Sequence, residues 1–249
     1  MAVTTTTKIT MPLTLIFRAI CARCVFLLLA IGLSLPAQAD SRNLAPGFGD
    51  LPKGATILVM PPDVELFSIS AGGVSEPKAD WTEAANTHIH GALEKKSSSL
   101  GLMTRELSEK DADDLAEINT LHAAVARSIA LHHMSGGNFA LPTKDGKLDW
   151  SLGNAVQPIR EKSGADYALF IWVRDSYASS ERKVAMFALA LFGVGITGGM
   201  QTGYASLVDL RTGQVMWFNK LLRGTGDLRD EESANETVKT LLAQFPESK

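Results

Sequence analysis

The spacing of apolar residues changes period several times along the chain, and each change marks an element. Thr56-Ile57-Leu58-Val59-Met60 is an unbroken apolar run stopped by Pro61-Pro62, and its length and branching predict a buried strand. Residues 61–79, with Gly72-Gly73 and Pro77, read as a long loop. From Asp80 the period becomes three and four. Trp81, Ala85, His88, Ile89, Ala92 and Leu93 fall on one face of a helix, with Asp80 as the expected N-cap. Leu102-Met103-Thr104 is a candidate short strand. A second helix is expected from Asp111 to Met134, with Leu115, Ile118, His122, Val125 and Ile129 along its face and Gly136-Gly137 at its end. A third helix carries Leu152, Ala155, Val156 and Ile159, with Pro158 expected to kink or break it.

The C-terminal third reads as strand, strand, strand, helix. Asp166 to Tyr177 is a strand with a buried centre, and Tyr204 to Leu210 is another. Arg211-Thr212-Gly213 is a tight turn, with Gly213 where positive φ is needed. Gln214 to Arg223 returns as the second arm of that hairpin. Asp227 or Asp230 caps a last helix whose inner face carries Ala234, Val238, Leu241, Leu242 and Phe245. The pattern predicts a mixed α/β fold: one mixed sheet with a C-terminal antiparallel hairpin, flanked by helices, in a single domain over 56–249. Residues 40–55, with Pro46, Gly47, Gly49, Pro52 and Gly54, read as an extended segment leading into it.

One stretch fits none of these periods. Val184 to Met200 carries no charge and interrupts the sheet as an apolar insertion, just after Arg182-Lys183. Gly193, Gly195, Gly198 and Gly199 weaken its second half as a helix. Two readings stand. The run is a buried crossover packed on the sheet, or it is a surface for a membrane or neighbouring subunits, since exposed apolar patches of this size mark interaction sites. On the second reading Leu189, Leu191, Phe192, Val194 and Ile196 are the candidate interaction residues.

The amino terminus adds a compartment. Residues 1–39 contain Lys8, Arg18 and Arg23 and no acid, then an apolar core of about 11 residues from Val25 to Leu35, then Pro36 and Ala37-Gln38-Ala39. These are the three parts of a cleaved secretory signal, too short for a span of about 20 residues. An uncleaved anchor would have to bury Arg18 and Arg23 at about 2.5–3.5 kcal/mol each. Met11 is an alternative start, since Met11 to Ala39 has ordinary signal proportions. The expected location is the periplasm, peripheral to the outer membrane on the second reading of 184–200. Cys21 and Cys24 precede the apolar core, so a lipid-bearing Cys is not expected.

Composition then narrows the chemistry. Both cysteines lie in the signal, so the mature chain of about 210 residues has neither disulfide nor thiol. Without the three signal cations it holds 21 Lys and Arg against 27 Asp and Glu, a net charge of about −6, which argues against a nucleic-acid partner. The histidines are 88, 90, 122, 132 and 133. His88 and His90 point about 200° apart on a helix and cannot share a metal there. No acid or Cys completes a ligand set, and no serine sits in a nucleophile elbow. The expectation is no catalytic, metal or cofactor-binding residue, hence no cofactor. An enzyme with a dispersed site is the alternative, with Glu117, His122, His132 and the 135–150 loop as its parts.

Gly164-Ala165-Asp166-Tyr167-Ala168-Leu169-Phe170 and the run from Ala205 to Trp217 carry a resemblance. Val208, Asp209, Thr212, Gly213 and Trp217 match a hairpin pattern Val-Asp-x-x-Thr-Gly-x-x-x-Trp followed by a helix. In this the chain resembles envelope proteins with a TolB amino-terminal-like α/β domain, the group that includes the curli secretion lipoprotein and activators of penicillin-binding proteins. The resemblance implies a non-enzymatic envelope protein that docks to a partner, an envelope protein or a membrane surface, or forms homo-oligomers. Asp209, Thr212, Gly213 and Trp217 are expected to be structural turn residues. The sequence departs from much of the group in lacking a lipobox, so a lipid anchor is not expected, and 184–200 lacks the alternation of a pore-forming strand.

Overall fold

The computed structural model describes residues 42–100, 103–105 and 109–248. The secretory signal expected over 1–39 lies outside them. Seven strands form one mixed sheet: β1 (Thr56–Val59), β2 (Asp63–Ile69), β3 (Ser75–Pro77), β4 (Met103–Arg105), β5 (Tyr167–Ala178), β6 (Gln201–Asp209) and β7 (Val215–Arg223). The helices are α1 (Ala79–Ser99), α2 (Glu109–Asp114), α3 (Ala116–Ile129), α4 (Gln157–Ser163), α5 (Ser180–Ala190) and α6 (Glu231–Leu241).

β5 is the long central strand. One edge pairs antiparallel with β6 over its first nine residues, and β6 continues into β7 as the expected hairpin. The other edge pairs in parallel with β1 at 167–169 and then with β2 at 172–178. Pro61-Pro62 lies between, where two residues without amide hydrogens cannot ladder. From Val59↔Leu169 to Asp63↔Trp172 the outer chain advances one residue more than β5, so the prolines sit in a bulge. The extra residue flips parity: Ile57 faces one side of the sheet, and beyond the bulge Val64 and Leu66 face that same side.

β2 and β3 correct the loop expected over 61–79. Asp63-Val64-Glu65-Leu66-Phe67-Ser68-Ile69 alternates between half-buried and buried, a strand period hidden between Pro61-Pro62 and Gly72-Gly73. Further corrections are local. The first helix is capped at Lys78 without a side-chain bond, and Asp80 lies inside its first turn. The long second helix breaks at Leu115 and finishes as a π-helical stretch over Ala130–Ser135. The third expected helix divides as anticipated near Pro158, into a 3-10 turn over Gly153–Val156 and α4 from Gln157, with Pro158 in the first turn of α4, where no amide is needed from it. Asp230 is the cap of α6, accepting from Ser233 N–H at 2.9 Å.

Each sheet face has its own core. Leu169, Ile171, Val173, Leu207 and Trp217 meet Ile89 and Leu93 of α1 and Val238 and Leu241 of α6. On the other face Ala168, Phe170, Val208 and Phe218 meet Ile118, Ala126 and Ile129 of α3 and Ile159 of α4. Residues 42–55 are built into the domain rather than leading loosely to it. Leu44 bridges Trp217, Leu51 bridges Ser248, and Ala45 and Leu51 are buried.

Candidate interaction surface

The connection between β5 and β6 sets the site. Paired antiparallel strands can be joined by two residues, yet here the chain runs from Ala178 to Gln201 through α5 and a return loop. Ser179 starts α5 by accepting from Arg182 N–H at 3.2 Å. The helix then contains no buried residue at all. Val184, Phe187 and Leu191 fall within a sector of about 60°. They are 69%, 71% and 72% exposed, and Phe192 beside them is 83% exposed. An apolar stripe at helical spacing faces core in an ordinary domain; here it faces solvent.

The arm is nevertheless well specified. Gly193, at φ +74°, ends α5: Val194 N–H donates to Leu189 O and Gly193 N–H to Ala190 O, each at 3.0 Å, the pairing of a Schellman end. The return loop is clasped by Arg182, whose Nε and Nη2 donate to Thr197 O at 3.0 and 2.9 Å. Its Nη1 also donates to Ser70 O in the β2–β3 turn at 3.3 Å. Met200 N–H donates to Ser176 Oγ at 2.9 Å, and Gly199 fits only because it has no side chain: a Cβ there would stand 1.9 Å from Ser176 O.

Below the arm lies a buried polar node. Asp175 accepts from Tyr177 Oη at 2.5 Å, Gln201 Nε2 at 2.6 Å and Ser176 N–H at 2.8 Å. Gln201 Oε1 in turn accepts from Arg223 Nε at 2.8 Å and from Thr237 Oγ1 at 3.1 Å. Burial pushes the Asp175 carboxyl up, and its three donors pull the other way. Tyr177 Oη accepts from Leu228 N–H at 2.7 Å, and Arg229 lies 4.1 Å over the Tyr177 ring, so the node ties the arm's two roots to the start of α6.

No family model matches this chain, and no curated protein does. Among solved structures it is similar to the PelC dodecamer from Paraburkholderia phytofirmans, with 13% identity over 81% of this chain and 94% of that one at a TM-score of 0.37. It is also similar to lipoprotein GNA1162 from Neisseria meningitidis, with 16% identity over 77% and 97% at 0.32. The LpoB C-terminal domain from Salmonella enterica matches with 14% identity over 72% and 87% at 0.28.

The expected interaction residues divide by exposure. Leu191, Phe192 and Val194 are open, Leu189 is 37% exposed, and Ile196 is half-buried. Val184 and Phe187 were not singled out by the sequence, although their spacing to Leu191 was there to be read. The expected turn residues lie in the β6–β7 hairpin. Asp209 Oδ1 accepts from Arg211 and Thr212 N–H at 2.7 and 3.1 Å, Thr212 Oγ1 accepts from Gln214 N–H at 3.2 Å, and Trp217 is fully buried.

Of the parts of the dispersed-enzyme alternative, the structure brings His132 against the 135–150 loop, while His122 has other partners. His122 stacks on Phe170 and shares a 2.8 Å hydrogen bond through Nε2 with buried Ser206, and burial lowers its pKa to about 3. His132 is half-buried, bonds Phe139 O at 2.7 Å and stacks on Trp150, both in the 135–150 loop, and Glu117 is exposed on the surface of α3. Among the described residues, no group of three or more His, Cys, Asp or Glu could hold a metal ion, and no helix is long and apolar enough to cross a membrane.

Proposed function

We propose that this chain is an exported, non-enzymatic binding or assembly module of the cell envelope, and that the arm from Ser180 to Met200 is the surface it docks with. The observation that carries this reading is the outward stripe Val184, Phe187, Leu191 and Phe192 on a helix with no fully buried residue. The leader-like amino terminus supports export, and the net negative charge of the remaining chain disfavours nucleic acid.

Magnitudes say what kind of docking this is. Burying four such side chains gains about 6–12 kcal/mol, at about 1.5–3 each. Association of two proteins costs about 4–15 kcal/mol before any contact is counted. The stripe alone therefore sits near balance. It supports stable attachment where several copies act together or where the arm enters a membrane surface, and otherwise a transient contact with one envelope protein.

The test pairs folding with association. Phe187→Asp together with Phe192→Asp should leave far-UV circular dichroism and melting unchanged. The same variant should no longer float with envelope-lipid vesicles or show the parent's assembly in light scattering. A parent that neither floats nor assembles, and recovers no envelope protein by crosslinking from the arm, would remove the reading.

A further inference from the structure

At the end of β5 away from the arm, a hollow of about 410 Å³ opens between the 52–55 turn, the last turn of α4 and the β6–β7 turn. Three cations border it: Lys53, Arg160 and Arg211. Among the described residues the side chains of Lys53 and Arg160 have no ion-pair or hydrogen-bond partner, and Arg211 Nη2 stands 3.9 Å from Asp209.

Two carboxylates share the rim, and both are engaged by the fold. Asp166 Oδ2 accepts from Thr56 N–H at 2.8 Å and from Thr56 Oγ1 at 2.9 Å. Asp209 Oδ1 is taken by the turn amides of Arg211 and Thr212. Tyr167, directly across from Asp209 in the sheet, is only 8% exposed, yet its hydroxyl has no hydrogen-bond partner among the described residues. It is not one of the enclosed orphans, which are Trp150 Nε1 and Trp217 Nε1, so it meets open space, and the space it lines is the hollow. Burial, then Asp209 and Asp166, push its ionisation up, which keeps it a donor at neutral pH.

We propose that this hollow binds a carboxylate-bearing ligand, held by Arg160, Arg211 and Lys53 and by a hydrogen bond donated from Tyr167. Three cations against two carboxylates leave one positive charge, which balances a monoanion and leaves the second charge of a dianionic phosphate uncompensated beside Asp166 and Asp209. A guanidinium matches the two oxygens of a carboxylate in one plane. The volume lies in the range of small-ligand sites, about 300–1,000 Å³, and leaves room for more than the acid group. The carboxylate comes from a free small acid or from the C-terminus of a peptide.

The protein, isolated after expression of the full chain, would be titrated by NMR and calorimetry. The probes are acetate, N-acetyl-alanyl-alanine, the C-terminal amide of that dipeptide, and inorganic phosphate. Saturable binding of the free-acid dipeptide without binding of the amide is expected. Acetate binding as tightly as the dipeptide assigns a free acid, and dipeptide binding alone assigns a peptide terminus. Tyr167→Phe should weaken binding about tenfold, the usual effect of losing a hydrogen bond to a charged group. Arg160→Gln and Arg211→Gln, both at exposed positions, should weaken it at least as much with melting unchanged, and added salt should weaken the parent. Equal binding of acid and amide, tighter binding of phosphate, no saturable binding of any probe, or arginine variants that bind like the parent would each overturn the proposal.

Discussion

Gly213 and Gly153 lie back to back: a Cβ on Gly213 would stand 2.1 Å from the Gly153 carbonyl oxygen. Gly213 also sits at φ +73°, donates to Asp209 O at 2.8 Å, and accepts from Leu152 N–H at 2.8 Å. The residue thus closes the β6–β7 turn and docks the chain before α4 onto it. Two separate constraints require glycine here, the backbone conformation and the close approach.

Gly213→Ala should therefore cost about 3 kcal/mol or more, since backbone strain alone costs about 1–3 kcal/mol and the clash adds to it. Gly213→Val should cost more still, because a branched side chain resists positive φ. Urea unfolding measures both. An alanine variant as stable as the parent would mean that the 152–153 segment moves away freely.

His122 gives the domain an acid weakness. Burial holds its folded pKa near 3, against an ordinary value of 6.5. Between those values the unfolded chain takes up a proton that the folded one refuses, so stability is full above pH 6.5 and falls as pH drops towards 3. At 1.36 kcal/mol per unit, the loss at pH 4.5 is about 3 kcal/mol. Asp175 acts with the opposite sign, because its raised pKa lets the folded state take a proton first as pH falls. Comparison with His122→Gln separates the two. The variant should lose less stability than the parent between pH 7 and pH 4.5 in urea titrations. Parallel losses would place the acid sensitivity elsewhere.

Gly199 controls how the arm returns to the sheet. A Cβ would meet Ser176 O at 1.9 Å, in the strand that carries the paired bonds between Ser176 Oγ and Met200. Gly199→Ala should loosen this root while the two cores stay packed. Hydrogen exchange should quicken at Met200 and Gln201 and stay slow in β7 and α6. Unchanged exchange at Met200 would show that the root does not depend on this contact.

Much of this architecture is legible in the chain. The strands β5, β6 and β7 and the helix α6 follow from unbroken or periodic apolar runs with turn residues between them, because local pattern and burial agree there. β2 was hidden because prolines and glycines flank it, and those residues mark a bulge and a turn as readily as a loop. The arm was only half legible. An uncharged run says that water is unfavourable, but not whether the chain's own sheet or a partner removes it. The hollow at Tyr167 was not legible, since Lys53, the Arg160–Tyr167 stretch and Arg211 come from three separate parts of the sequence and form no recognisable spacing.

The arm and the core should respond oppositely to the same kind of insult. Phe170 is fully buried in the α3 face of the sheet and stacks on His122 at 4.7 Å between ring centroids. Phe187, 71% exposed, belongs to a helix with no buried residue. Phe170→Ala should cost about 3–5 kcal/mol, through lost burial and the cavity left behind. Phe187→Ala should change stability by less than about 0.5 kcal/mol, as surface substitutions do. Phe187→Asp should be equally silent in dilute, partner-free protein, because an aspartate there stays in water and costs nothing to solvate. The two phenylalanines thus form an internal control for denaturant titration of the same preparation. A loss of 2 kcal/mol or more at Phe187→Asp, where the magnitude reaches that of core truncation, would mean that α5 is covered by the protein itself. The stripe would then be core, and the docking role proposed for the arm would lose its physical basis.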